Sequence, residues 1–360
     1  MKPMDGSFSD FSWQNVIKKV LWALLALVLS VLTVYTVFRK GDLSFLELLI
    51  NLRRASPCWL LPAFLGMFCF ISFEGTAIVQ ILRTLGFSPS PGKGFLYASA
   101  DIYFSSITPS ASGGQPASAY FMHKDGVPGF AVTVALILNL TMYTLAIITI
   151  GLLSLLCFPQ VFLQFNIACK LMIVFGICAM TALVLIFLML LKNQHILMRL
   201  GNACAVVLYT LHFRRSAAKL RNKLTAAVAG YNECVSILKG KKSLLLRIYA
   251  LNLLQRGAQI LVTVFSFLAL GGNLRDSLHI FAVQTYVMLG SNFIPVPGAI
   301  GISEYIMFSG YTMFMDADAA YNLAAVSRGI SFYVCVAISF FAVVAGYIVI
   351  HLKKHKGGSL

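Results

Sequence analysis

Five ionisable side chains, Glu74, Asp101, Arg256, Glu304 and Arg328, stand well inside apolar stretches of this chain. At the centre of a lipid-exposed helix each costs roughly 2.5 to 3.5 kcal/mol, so five unpaired charges would cost on the order of 15 kcal/mol. They must pair, meet water or bind something. The densest polar face is formed by Asn252, Gln255, Arg256 and Gln259, whose spacing of i, i+3, i+4 and i+7 puts all four on one side of a helix. Arg256 lies about nine residues beyond Arg247, or roughly 13 Å along a helix axis, too deep in the hydrocarbon to snorkel comfortably. An arginine fork held there matches phosphate oxygens. Glu304, with Asp101 or Glu74, would hold a cationic group or a proton. In the plainer alternative, Glu304 neutralises Arg256 or Arg328 and nothing else binds.

The elements that position these groups fall into two kinds. Continuous apolar segments at 21–38, 57–82, 130–157, 165–191, 245–270 and 320–350 are each long enough to cross a bilayer as a helix. Two more apolar regions, 94–122 and 277–313, are broken in the middle. Pro109, Gly113, Gly114 and Pro116 interrupt the first; Asn292, Pro295, Pro297, Gly298 and Gly301 interrupt the second. Proline removes a backbone donor and glycine releases the turn, so each region reads as two half-helices joined at an elbow, with a kinked full span as the alternative. Half-helix N-termini after the elbows would offer backbone donors to the same anion as Arg256, with Gln115 and Asn292 beside them.

The chain has 360 residues, 59% of them apolar and 11% charged, with a mean hydropathy of +0.84. A soluble protein cannot hide that much apolar surface, so water-soluble enzyme classes are largely excluded. The excess of 28 Lys+Arg over 12 Asp+Glu gives a formal charge of +16, but it lies in loops, where it fits the positive-inside rule and not nucleic-acid binding. The eight cysteines, at 58, 69, 157, 169, 178, 204, 234 and 335, show no CxxC spacing and point to neither disulfides nor metal. No metal-ligand spacing, paired nucleophile and base, or P-loop occurs, so no catalytic residue, metal or cofactor is expected. The Asn139-Leu140-Thr141 sequon lies inside a span, and His212–Lys223 reads either as an amphipathic surface helix or as a solvated loop. The apolar stretch after Lys18 and Lys19 lacks a cleavage site and reads as a retained span.

Charge topology orders these pieces. The 192–247 segment carries eleven Lys/Arg against Glu233 alone and belongs in the cytoplasm, as do Lys353, Lys354 and Lys356. With both broken regions re-entrant, the two termini are cytoplasmic and every basic tail falls on the expected side; only 39–56, with Arg39, Lys40, Arg53 and Arg54, disagrees. The expected fold class is an all-α integral membrane protein of six transmembrane helices and two re-entrant hairpins. Its halves, 1–158 and 159–360, would form an inverted repeat. Ser105 and Pro109 share the spacing of Ser291 and Pro295, and Ser118, Tyr120 and Met122 share that of Ser303, Tyr305 and Met307. Paired broken helices in such a repeat point to an alternating-access site near the bilayer midplane.

Thr108–Pro116 with Tyr120, and Pro295–Glu304, resemble the two signature stretches of the flippase-like family, the membrane region of the bacterial lysylphosphatidylglycerol synthase/flippase or multiple peptide resistance factor. The likeness extends over nearly the whole chain in length and span pattern. Gln115, Ala117 and Ser118 stand where many relatives carry an acid and an arginine, whereas Glu304 matches the acid of the second stretch. In the full-length family member a soluble domain transfers lysine from its tRNA to phosphatidylglycerol, and the membrane region moves the product outward. This chain ends at Leu360, leaving no room for that transferase, so the resemblance implies the translocating half alone, in a bacterial cell membrane.

Three functions follow as expectations. The first is a phospholipid translocase whose partners are anionic or aminoacylated membrane phospholipids such as phosphatidylglycerol or lysylphosphatidylglycerol, not nucleic acid. Arg256 and Arg328 would hold phosphate. The second is a small-solute or ion carrier of the same architecture, and the third a subunit of an aminoacyl-lipid synthase. Assembly with a second copy or with a separate lipid-modifying enzyme stays open.

Overall fold

The computed structural model describes residues 53, 55–108, 111–192, 228–292, 294 and 296–356. All lie in one compact unit, Phe45–Leu360, and among them every regular element is helical. The expected 21–38 span, nearly all of the 39–56 loop and the His212–Lys223 segment fall outside the described residues.

Helix α1, Pro57–Thr84, is followed by α2, Pro91–Ile107, α3, Gly114–Lys124, α4, Gly129–Cys157, the short α5, Pro159–Gln164, and α6, Ile167–Lys192. A helix at 228–238, α7, precedes α8, Lys242–Ala269. Then come α9, Ser277–Ser291, α10, Ile302–Tyr311, α11, Ala317–Arg328, and α12, Cys335–Lys356. Proline opens α1, α2 and α5, where its missing N–H has no helical partner to lose. Five stretches are long and apolar enough to cross a bilayer: Pro57–Thr84, Gly129–Cys157, Ile167–Leu191, Lys242–Ala269 and Ala317–Ile350. The 28 residues of α1 extend about 42 Å, ample for a hydrocarbon core of about 30 Å.

The last of these stretches is not the uninterrupted α-helix expected at 320–350. Between α11 and α12 the chain makes a π-helical turn, Gly329–Val334, which widens the helix immediately after Arg328.

Helices α1 and α8 form the inner pair and pack along each other, with Gly66 of α1 close to Val262 and the Ala258 carbonyl of α8. Helix α1 also crosses α2 where Gly75 meets Gly94; a Cβ on Gly75 would lie 2.6 Å from the Gly94 carbonyl. Small residues permit this backbone approach, a normal means of packing helices in lipid. By contrast α6 and α12 turn Leu171, Phe175, Leu185, Phe341 and Ile348 outward. Apolar side chains outside and Glu74, Asp101, Gln255 and Arg256 inside make a distribution suited to lipid as solvent.

Both broken regions are helical hairpins. In the first, Asp101 of α2 meets Gln115 of α3, and nearer the open end Tyr97 and Lys93 both reach Asp125, at 2.6 and 2.7 Å. In the second, Gly290 of α9 faces Ile306 of α10, while Gln284 accepts a 2.8 Å bond from Tyr311. Each pairing joins residues progressively farther from the elbow, as antiparallel halves require. Ala111 and Ala299, one at each elbow, are the described non-glycine residues with left-handed backbone, both at φ 51°. A Cβ in that region costs roughly 1 to 2 kcal/mol, so surrounding packing must hold both elbows in place.

Candidate functional site

The elbows open onto one cavity of about 640 Å³. Ala111 and Ser105 line it from the first hairpin, and Ser291, Asn292, Gly298 and Ala299 from the second. Its charged wall consists of Glu74 on α1, Asp101 on α2, Arg256 on α8 and Arg328 at the end of α11. Gln115 and Gln259 complete the set of sequence-predicted residues that line it.

Arg256 is 5% exposed. Its Nη1 donates to Gln259 one turn along the same helix, and its guanidinium lies 3.7 Å from the centre of the Tyr143 ring and 5.1 Å from that of Phe70. Nε has no hydrogen-bond partner, and the ion pairs among the described residues, Lys93–Asp125 and Arg328–Glu304, do not include it. Aromatic faces hold the cation by cation–π attraction without consuming its donors. The result is a buried, oriented guanidinium with unused donor capacity at a cavity wall.

The acids across from it are equally buried, Glu74 at 6% and Asp101 at 9% exposure. Gln255 donates to Glu74 Oε2 at 2.7 Å; Gln115 donates to Asp101 Oδ2 at 2.6 Å and Ser105 to Oδ1 at 3.1 Å. Gln255 therefore faces the acid and is not exposed to the cavity. Asn252, from the same expected stripe, bonds Asn139 on α4 at 3.3 Å and the Ile248 carbonyl at 3.0 Å, tying α8 to α4.

At the second elbow the charges are matched to each other. Arg328 Nε lies 2.8 Å from Glu304 Oε1, while its Nη2 donates to the Gly298 carbonyl at 2.8 Å. Glu304 Oε2 accepts from the Gly301 N–H at 2.7 Å and from Ser303 at 2.9 Å. This carboxylate closes the N-terminus of α10, so that end presents its first donor to its own glutamate and not, as the sequence suggested, to a bound anion. Glycine serves here because Gly298 and Gly301 have φ of 60° and 87°.

The other elbow residues do different work. Gly114 has Asp101 and Ser105 where a Cβ would stand, so its hydrogen is what lets α3 approach α2. The Gly113 N–H donates to Thr108 Oγ1 at 2.9 Å, and Pro116 fits the first turn of α3. Pro297 begins a 3₁₀ turn through Ala299; Pro109 and Pro295 lie outside the described residues.

Neither Tyr143 nor Gln284 stood out in the sequence, and Asn139 was read only as part of a sequon inside a span. The signal for Asn139 and Tyr143 was present: they are i, i+4 neighbours, a polar pair on one face of an otherwise apolar span. Among the described residues no group of three or more His, Cys, Asp or Glu side chains has an arrangement suited to a metal ion.

A family model described as the lysylphosphatidylglycerol synthase TM region matches residues 23–339. Comparison with curated proteins gives no match.

Proposed function

Since this chain belongs to the lysylphosphatidylglycerol synthase membrane-region family, we propose that it is a multi-pass lipid transporter that moves a phospholipid head group between leaflets through the cavity between the elbows. The observation that carries this reading is Arg256, a buried guanidinium without an ion-pair partner among the described residues and with a free Nε, beside a cavity that both hairpins line. A phosphodiester supplies the acceptors that Arg256 lacks. The cavity volume of about 640 Å³ falls within the roughly 300 to 1,000 Å³ usual for small-molecule sites and suits a head group whose acyl chains stay in lipid.

In this account Arg256 binds phosphate, Glu74 and Asp101 face the cationic or protonated part of the load, and Arg328 with Glu304 fixes the shape of the second elbow. The favoured substrates are phosphatidylglycerol and its aminoacylated derivative. The five described membrane-length stretches and the 21–38 segment would make six spans, with both hairpins re-entrant, the two halves inverted, and both termini on the cytoplasmic face of a bacterial cell membrane. Alternate opening of the cavity toward each leaflet follows from two hairpins that enter from opposite sides.

Head-group exchange between leaflets of vesicles holding the purified chain tests the proposal. Lipid exchange above that of empty vesicles supports it. Solute uptake without lipid movement would assign a solute carrier, and formation of aminoacyl-lipid from charged tRNA and phosphatidylglycerol would assign an enzyme.

A further inference from the structure

Helix α9 brings to the cavity a polar face that takes no part in holding phosphate. Gln284, Met288, Ser291 and Asn292 all line the cavity, and their spacing of i, i+4, i+7 and i+8 puts them on one side of the helix and its C-cap. Gln284 is 8% exposed and Ser291 9%, so both stand deep in the protein. Gln284 Oε1 accepts from Tyr311 at 2.8 Å, which fixes the amide plane, while its Nε2 donates to no group among the described residues. The Ser291 hydroxyl and the Asn292 amide, with Ser331 of the π-helical turn, likewise have no side-chain hydrogen bond to a described residue. On α8 the Gln259 carbonyl accepts from Arg256, and its Nε2 adds one more unpartnered donor beside the guanidinium.

Buried amides and hydroxyls are costly unless hydrogen-bonded, so these groups must be met by something inside the cavity. They carry no charge. Each amide and hydroxyl both donates and accepts, and a partner that matches several of them in a row is one with several hydroxyls of its own. A second phosphate or an ammonium suits this face less well. Arg328 and Glu304 at the second elbow already satisfy each other, and Glu304 also receives the Gly301 N–H and Ser303.

We propose that this face of α9, led by Gln284 and Ser291, is the subsite for an uncharged polyol carried by the phosphodiester on Arg256, so that the protein selects phospholipids whose head group bears free hydroxyls over equally charged ones that lack them. This selectivity rests on the reading of the cavity as a lipid site and adds the part of the head group recognised beyond phosphate. Head-group hydroxyls replace the water that these buried donors and acceptors need; a head group of the same charge without hydroxyls displaces that water and leaves them bare. Tyr311 is a positioning residue, acting through the Gln284 amide.

Calorimetric titration of the full chain in micelles, with phosphatidylglycerol and phosphatidylethanol as separate probes, tests this. Both are phosphodiesters of one negative charge, and only the first carries head-group hydroxyls. The wild-type chain should bind phosphatidylglycerol about tenfold or more tightly than phosphatidylethanol. Gln284→Leu and, independently, Ser291→Ala should each reduce that ratio by about threefold or more, and Tyr311→Phe should reduce it less than Gln284→Leu does. Equal affinity of the wild-type chain for the two lipids would overturn the polyol subsite and leave the phosphate site on Arg256 standing. A ratio unchanged in both the Gln284 and the Ser291 variant would overturn it as well. Failure of the wild-type chain to bind either lipid would remove the lipid site, and the polyol subsite with it.

Discussion

Gln115 Nε2 lies 2.6 Å from Asp101 Oδ2, a bond between residues 14 positions apart that fastens the start of α3 to the acid of α2 across the first elbow. The contact exists because the intervening turn brings Gly114 against α2 with no side chain between. One backbone feature thus sets the position of a cavity acid.

Gly114→Ala should force the hairpin halves apart, since its Cβ would overlap Asp101 and Ser105. Overpacking of this kind costs roughly 1 to 3 kcal/mol. Gly257→Ala on α8 is the control: nothing lies within 4 Å of its Cβ position, and replacing helical glycine gains about 0.5 to 1 kcal/mol. Thermal unfolding in detergent should show a lower midpoint for the first variant and an equal or higher one for the second.

The Arg328–Glu304 pair should behave as a structural latch. Glu304→Gln leaves a largely buried arginine without its counter-charge and should destabilise the chain by about 3 kcal/mol. Combining it with Arg328→Met removes both charges, and the double variant should be less destabilised than the two single effects added together. A double-mutant cycle of unfolding measurements checks this.

Much of this arrangement was legible in the sequence, for reasons that are physical and local. Apolar runs at 57–82, 130–157, 165–191 and 245–270 became helices close to the expected limits because lipid demands internally bonded backbone over a fixed thickness. The hairpin breaks showed because proline and glycine act on their own peptide units. Arg256 stood out because its depth leaves a cation no ordinary resting place.

What stayed hidden depends on neighbours distant in the chain. Nothing in the sequence says whether Glu304 meets Arg256 or Arg328, or that Asn252 turns to Asn139. Tyr143 looks like any aromatic in an apolar span until its ring is set beside Arg256. The left-handed backbone at Ala111 and Ala299 runs against local preference, since the nearby glycines were the natural candidates for that conformation. The π turn after Arg328 likewise has no obvious marker in Gly329–Val334.

Tyr143→Leu should weaken phosphatidylglycerol binding by several-fold, because an aromatic face over a desolvated guanidinium contributes roughly 0.5 to 2 kcal/mol. Tyr143→Phe keeps the ring and should bind nearly as well as the parent. Titration of both variants with the same lipid separates loss of the face from loss of the hydroxyl.

Arg256→Lys preserves the charge but not the planar fork. Lysine cannot reproduce both the aromatic stack and a two-point phosphate contact, so affinity for an anionic phospholipid should fall by about tenfold or more. Lipid that copurifies with each protein, quantified by mass spectrometry, provides the check.

The most direct test is leaflet exchange of labelled phosphatidylglycerol in vesicles containing either the parent chain or Arg256→Ala, at matched and verified protein insertion. Exchange should be rapid with the parent and at least tenfold slower with the variant, since truncation removes the one buried cation that is free to hold phosphate among the described residues. Equal exchange by the two proteins would contradict it.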